Sequence, residues 1–226
     1  DRFTFEKVGE VAGELENPRY GTVLNGKAYV TNYATFDSLT DDYVAVIDLE
    51  SLAVESTIEI GNIAEQIISY DENLYVMNND GFADGSEITI IDPAELTTET
   101  LDIGEGLNSI KRNGSSIYAL SDSGLTEIDL STDEIVSTQN APDNLTSLEN
   151  LVLTESHIYY TSENNVYRSD YDDNSLSANE FITYNSASGS GNIYGLDVID
   201  EEVYIADADD FASNGFITIY NTTGEL

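Results

Sequence analysis

The chain has 226 residues and carries 44 acidic side chains against 7 basic ones, a net charge of −37. That balance excludes nucleic acid as a partner, because phosphate backbones are held by Lys and Arg, and an anionic membrane surface repels it as well. With no Cys there is no disulfide and no thiolate metal site, and no run of 18 apolar residues exists to cross a membrane as a helix.

The chain reads as strand and turn from end to end. Phe3–Val8 has the look of a lone outer strand. A four-stranded unit follows at Tyr20–Leu24, Lys27–Asn32, Tyr43–Leu49 and Val54–Ile60, with Asn25-Gly26 as a tight two-residue hairpin. The second unit runs Ile67–Tyr70, Leu74–Asn78, Glu87–Asp92 and Thr97–Ile103. The third is the shortest, at Ser109–Arg112, Ser116–Leu120, Leu125–Leu130 and Ile135–Thr138, and Asn113-Gly114 holds the same hairpin place. The fourth runs Glu149–Leu153, His157–Thr161, Asn165–Ser169 and Phe181–Tyr184. The fifth has three strands, Tyr194–Ile199, Glu202–Ala206 and Phe216–Tyr220.

Two markers keep time along this series. A Tyr in the second strand recurs at Tyr29, Tyr75, Tyr118, Tyr159 and Tyr204, in steps of 46, 43, 41 and 45 residues. The third strand ends Val46-Ile47-Asp48-Leu49, then Ile90-Ile91-Asp92-Pro93 and Glu127-Ile128-Asp129-Leu130, with weaker echoes at Asp170 and Asn221. A repeat of about 40–50 residues made only of strands and turns predicts an all-β fold, a β-propeller of four-stranded antiparallel blades. Five blades are visible in one domain spanning 1–226. They occupy 17–60, 61–104, 105–140, 141–187 and an incomplete 188–226, with 1–10 as the outer strand of a preceding or closing blade. Either Phe3–Val8 completes the fifth blade and closes a five-bladed ring, or the chain is a fragment of a larger one, which its ends favour.

The run Asn17-Pro18-Arg19-Tyr20, then Asn25-Gly26-Lys27-Ala28-Tyr29-Val30-Thr31-Asn32, then Asp41-Asp42-Tyr43-Val44-Ala45-Val46-Ile47-Asp48-Leu49, resembles the YVTN-type, YncE-like propellers. More narrowly it resembles the DUF5074 group of Bacteroidota cell-surface proteins. Ile193-Tyr194-Gly195-Leu196-Asp197, Tyr204-Ile205-Ala206-Asp207-Ala208 and Phe211-Ala212-Ser213-Asn214-Gly215 carry the narrower likeness. The resemblance implies a seven-bladed, exported lipoprotein at the outer membrane, with its lipid-bearing Cys upstream of Asp1. Some related propellers sit over TonB-dependent outer-membrane transporters and capture cobalamin. A transporter or other surface protein as partner, and a small ligand such as a cobalamin, are therefore what the resemblance brings; it transfers no ligand residue.

The long loops between second and third strands in blades one, two and five share a pattern. Seven residues after each marker Tyr stands a Phe: Phe36, Phe82 and Phe211. Acidic and amide residues surround them, among them Asn32 and Asp37, Asn78 and Asp80, and Asp207, Asp209 and Asp210. Aromatic faces give stacking area and carboxylates give orientation, so Asn32, Phe36, Asn78, Phe82, Asp207 and Phe211 form the expected ligand rim. The alternative is that each Phe folds back to plug its own loop.

Arg19 enters the same set as a holder of a ligand carboxylate or phosphate, against the favoured alternative that it pairs with a neighbouring acid. Asp207, Asp209 and Asp210 offer clustered oxygens to calcium, against the alternative of solvated acidic turns. His157, the only His, reads as a solvated turn residue. With no nucleophile motif beside it, an enzyme is not expected. The function expected is ligand capture, or docking on an outer-membrane partner. A structural or adhesive protein bridged by divalent ions is the alternative, and a propeller hydrolase or lyase ranks behind both.

Overall fold

In the computed structural model of the protein, the described residues are 3–11, 13, 15–35, 38, 41–61, 63–79, 86–189 and 191–226. They form nineteen strands and no helix. The strands make five antiparallel sheets. The first is β1 (Pro18–Leu24), β2 (Lys27–Asn32), β3 (Asp42–Asp48) and β4 (Ala53–Gly61). The second is β5 (Ala64–Tyr70), β6 (Asn73–Asn79), β7 (Ser86–Asp92) and β8 (Thr97–Gly104). The third is β9 (Ser109–Asn113), β10 (Ser116–Ser121), β11 (Gly124–Asp129) and β12 (Glu134–Asn140). The fourth is β13 (Leu148–Leu153), β14 (His157–Ser162), β15 (Asn165–Asp170) and β16 (Glu180–Thr183). The fifth has three strands, β17 (Ile193–Ile199), β18 (Glu202–Asp207) and β19 (Phe216–Asn221). Each is a simple meander, as the hairpin signals require.

One expected strand is absent. Phe3–Val8 forms a turn and irregular chain. Phe5 takes a left-handed conformation (φ 57°), which breaks an extended run, and Phe3, Phe5 and Val8 are all exposed. An apolar composition alone does not make a strand; the ladder and face of a neighbour do.

The chain divides into two compact units, Asp1–Asp102 and Ile103–Leu226. In the first, β1 packs on β5, innermost strand against innermost strand. The Thr22 and Ser69 hydroxyls meet at 2.9 Å across that seam. The core there gathers Tyr29, Val44, Val46, Ile58, Ile67, Leu74, Val76 and Ile91. In the second, β9 packs on β13 and β13 on β17. One core cluster runs through Leu120, Leu148, Leu151, Ile158 and Tyr160, and another through Tyr159, Val166, Ile182, Val203, Ile205 and Tyr220. Three of the marker Tyr residues (Tyr29, Tyr75 and Tyr159) are thus core, buried to 4% exposure or less, and β-branched neighbours suit the pleated surface around them.

The second marker is a turn cap. Asp48 Oδ1 accepts the Glu50 and Ser51 amides and the Ser51 hydroxyl. Asp92 Oδ1 accepts the Ala94 and Glu95 amides, Asp129 Oδ1 the Ser131 amide and hydroxyl, and Asn221 Oδ1 the Thr223 amide and hydroxyl. A short acceptor at the end of the third strand starts the following turn in four of the five sheets; in the fourth, the Asp173 carboxylate accepts the Asp170 amide instead.

Candidate functional site

Innermost strands are bulged in four sheets, between Pro18 and Gly21, Ala64 and Ile67, Glu149 and Val152, and Ile193 and Gly195. A bulge re-aims the side chains it carries. It carries Arg19 in β1, Glu65 in β5, Asn150 in β13 and Tyr194 in β17.

Arg19 is spoken for. Its Nη2 lies 3.1 Å from both carboxylate oxygens of Glu65, and its Nε 3.3 Å from one of them. The guanidinium also sits 5.0 Å from the centre of the Tyr33 ring, and the Tyr33 hydroxyl donates to Glu65 as well. Desolvation, the largest influence on the Arg19 pKa, lowers it, but the bond and charge of Glu65 raise it further. The phenol of Tyr33 is pushed well up, by burial first and then by Glu65.

Three residues after each marker Tyr stands a buried polar group: Asn32, Asn78, Ser121, Ser162 and Asp207. In the second unit Ser162 and Asp207 tie the segment entering a blade to its second strand, while the Ser121 hydroxyl bonds within its own turn. The Ser162 hydroxyl donates to Thr146 O at 2.6 Å. Asp207 Oδ1 accepts the amides of Asn192 (2.9 Å) and Asp209 (2.8 Å), and Oδ2 accepts the Tyr184 hydroxyl (2.7 Å). Gly191 makes this possible, since a Cβ there would lie 2.4 Å from Asp207 Oδ2 and 2.2 Å from Ser186 Cβ. Burial is the largest influence on Asp207 and raises its pKa, but the bonds from Ser186, Tyr184 and the two amides together hold it below the ordinary carboxylate value. In the first unit Asn78 Oδ1 accepts the Thr89 hydroxyl (2.7 Å). The Asn32 amide donates to Val30 O (2.7 Å), and its Oδ1 is buried without a partner among the described residues.

Above Asp207 the surface opens. A cleft of ≈ 360 Å³ is lined by Asn164, Tyr184, Asn185, Ser186 and Asn192. These are hydroxyl and amide groups without a net charge. Tyr194, two residues after the lining Asn192, meets Phe211 edge to face, ring centres 5.6 Å apart. They are 73% and 67% exposed, so Phe211 does not plug its loop. Phe36 and Phe82, expected on the same rim, lie outside the described residues.

Two of the three acids offered to calcium act as hydrogen-bond acceptors within this region. Asp210 Oδ1 accepts the Ala212 and Ser213 amides, which lowers its pKa, while Asp207 is saturated as above. Among the described residues no three acidic or His side chains converge to hold a metal ion.

Sequence reasoning passed over a larger cleft, of ≈ 620 Å³, at the opposite ends of the strands of sheets four and five. Leu153, His157, Tyr159, Arg168, Asp200 and Glu201 are among its lining residues. His157 Nδ1 is 2.8 Å from the Ser156 hydroxyl and Nε2 is 3.4 Å from Asp170 Oδ1. The Asp170 side chain is 66% exposed, so the contact lacks the buried carboxylate that orients a catalytic His. The signal available in sequence was the scarcity of cations, one of which is Arg168.

No protein-family model matches the chain, and no curated protein matches it in sequence. Solved structures do. BamB from Moraxella catarrhalis matches with a TM-score of 0.60 at 14% identity, over 90% of this chain and 57% of that one. The extracellular domain of a hybrid two-component system from B. thetaiotaomicron matches with a TM-score of 0.64 at 15% identity, over 92% and 29%. A chain of Kuenenia stuttgartiensis hydrazine synthase matches with a TM-score of 0.61 at 19% identity, over 93% and 71%. The chain thus spans little more than half of BamB and under a third of the two-component domain. With the five antiparallel sheets, these likenesses define the fold as a β-propeller.

Proposed function

We propose that this propeller is a non-enzymatic surface protein that captures a small ligand on its long-loop face. The observation that carries the reading is the exposed Tyr194–Phe211 pair, with Tyr194 two residues along the chain from Asn192, which lines the cleft of amides and hydroxyls. Two aromatic rings left in water offer stacking area, and the amides and hydroxyls of the cleft offer hydrogen bonds. A ligand rich in hydroxyl and amide groups fits that chemistry, oligosaccharides foremost, with cobalamin the ligand that the family resemblance adds.

A surface location accords with the acidic exterior, whose self-repulsion is screened in a salty medium. It also accords with the YVTN and DUF5074 resemblance, and with a structural neighbour that is itself an extracellular domain. Delivery to an outer-membrane transporter, by a protein held there through an upstream lipid, extends the same reading. Fold alone does not separate binding from catalysis, and one of the similar structures is an enzyme. The non-enzymatic reading rests on the exposed Asp170 behind His157.

The test is a thermal-shift and calorimetric screen against oligosaccharides and cobalamins. A ligand at about 100 times its dissociation constant adds about 2.7 kcal/mol of stability. The reading holds if a shift appears and Tyr194→Ala or Phe211→Ala removes it. Binding that ignores both substitutions sinks it.

A further inference from the structure

We infer that the cleft at the other ends of the strands binds a small zwitterion, an α-amino acid or short peptide, with its carboxylate on Arg168 and its ammonium on Asp200 and Glu201. This site is separate from the loop-face cleft. It is built by the β13–β14 turn, the β17–β18 turn and β15.

The first observation is Arg168. In a chain with 44 acidic side chains, this guanidinium forms no ion pair among the described residues. It donates Nη1 to a backbone oxygen, Thr222 O, at 3.1 Å, and its face lies 4.2 Å from the centre of the Phe181 ring. The stacking fixes its plane and leaves donors for a forked acceptor. The second observation is the facing turn. Asp200 and Glu201 both hold left-handed backbone conformations (φ 51° and 65°). Glu201 stands where a two-residue hairpin prefers Gly. Neither carboxylate has an ion-pair partner among the described residues, and both line the cleft that Arg168 lines. Strain kept in an unpaired acidic turn is the kind a functional site retains.

Charge decides the class of ligand. A net charge of −37 repels free anions, so a lone phosphate or carboxylate is a poor occupant. A lone cation is repelled by the Arg168 guanidinium that lines the same cleft. A zwitterion answers both ends and adds no net charge. Leu153, Tyr159 and Val198 provide apolar wall for a side chain, and the volume suits an amino acid or dipeptide.

The probe is L-leucylglycine, measured by calorimetry beside its N-acetyl derivative and its C-terminal amide. The expected result is saturable binding of the free dipeptide, weakened at least tenfold by blocking either end. Arg168→Gln should weaken it at least tenfold too. Because that change also removes the Phe181 stacking, Glu201→Gly serves as the second variant. It removes one carboxylate and relieves the turn, so it should weaken binding while the protein melts no lower. Tyr194→Ala and Phe211→Ala should leave dipeptide binding unchanged, which separates this site from the loop-face reading. No saturable binding to the folded protein up to about 10 mM, or blocked dipeptides that bind as well as the free one, would overturn the inference.

Discussion

Arg19 and Glu65 stand at equivalent bulges in the innermost strands of adjacent blades, and they meet there, guanidinium to carboxylate, at 3.1 Å. The bulge that turns Arg19 out of its ladder therefore serves the seam between blades. Its partner is the more buried of the two, with side-chain exposures of 43% for Arg19 and 15% for Glu65.

Arg19→Ala is expected to cost about 1 kcal/mol, since the pair is partly screened by solvent. Glu65→Gln should cost a similar amount, and the double variant less than the sum, with a coupling of about 0.5–1 kcal/mol. Urea unfolding of the four proteins measures this. Additive losses would show that the contact contributes nothing to the seam.

Asp207→Ala is expected to be far worse, by about 3 kcal/mol, because it strands the Tyr184 hydroxyl and the Asn192 and Asp209 amides in a buried place. Asp207→Asn should recover part of that loss, since one amide oxygen still accepts. Gly191→Ala should also destabilise, because its Cβ collides with Asp207 and Ser186. Melting temperatures rank the three; an Asp207→Ala protein as stable as its parent would remove Asp207 from this structural role.

Much of this fold was legible and much of the site was not. The marker Tyr and the Asp at the end of the third strand each act within a few residues of themselves, as core and as turn cap, so their spacing announced the blades. Phe3–Val8 looked like an outer strand and formed none, because the left-handed turn of the backbone at Phe5 breaks the extended run. Asn32, Asn78 and Asp207 were visible as polar positions after the marker, but their burial depends on strand pairing and packing that a linear pattern does not show. Arg168 reaches Thr222 across 54 residues, and nothing local in the sequence signals that approach.

Stability should respond to pH in two opposed ways. Asp48, Asp129, Asp207 and Asp210 have folded-state pKa values below the ordinary one. Their contribution is full above the unfolded value of about 3.9 and is lost as pH falls through the depressed folded values. Asp42 and Glu149 are shifted up, by burial first and then by neighbouring carboxylates, for Glu149 that of Asp122. Their contribution is full below the unfolded value and disappears as pH rises through the raised one. Falling pH also relieves the self-repulsion of a −37 chain. The melting temperature should therefore climb as pH falls from 7 towards the ordinary carboxylate range and drop below about pH 4. Glu149→Gln should flatten the climb, and salt should raise the pH 7 value most. A melting temperature that falls steadily from pH 7 downward would contradict the upward shifts.

The hairpins offer a matched pair of backbone tests. Asn25-Gly26 and Asp200-Glu201 join the first and second strands of their blades through the same two-residue turn, with Leu24 paired to Lys27 and Ile199 to Glu202. Gly26 sits at φ 79° with open space where a Cβ would go, and Glu201 at φ 65°. Only backbone preference then separates them. Gly26→Ala should destabilise by about 1 kcal/mol, and Glu201→Gly should stabilise by up to about 1 kcal/mol, less what the freer unfolded chain takes back. Equilibrium unfolding of the two variants checks both signs. If Glu201→Gly lowers stability, Glu201 holds a contact that outweighs its strain, and the turn is then kept for the fold and not for a ligand.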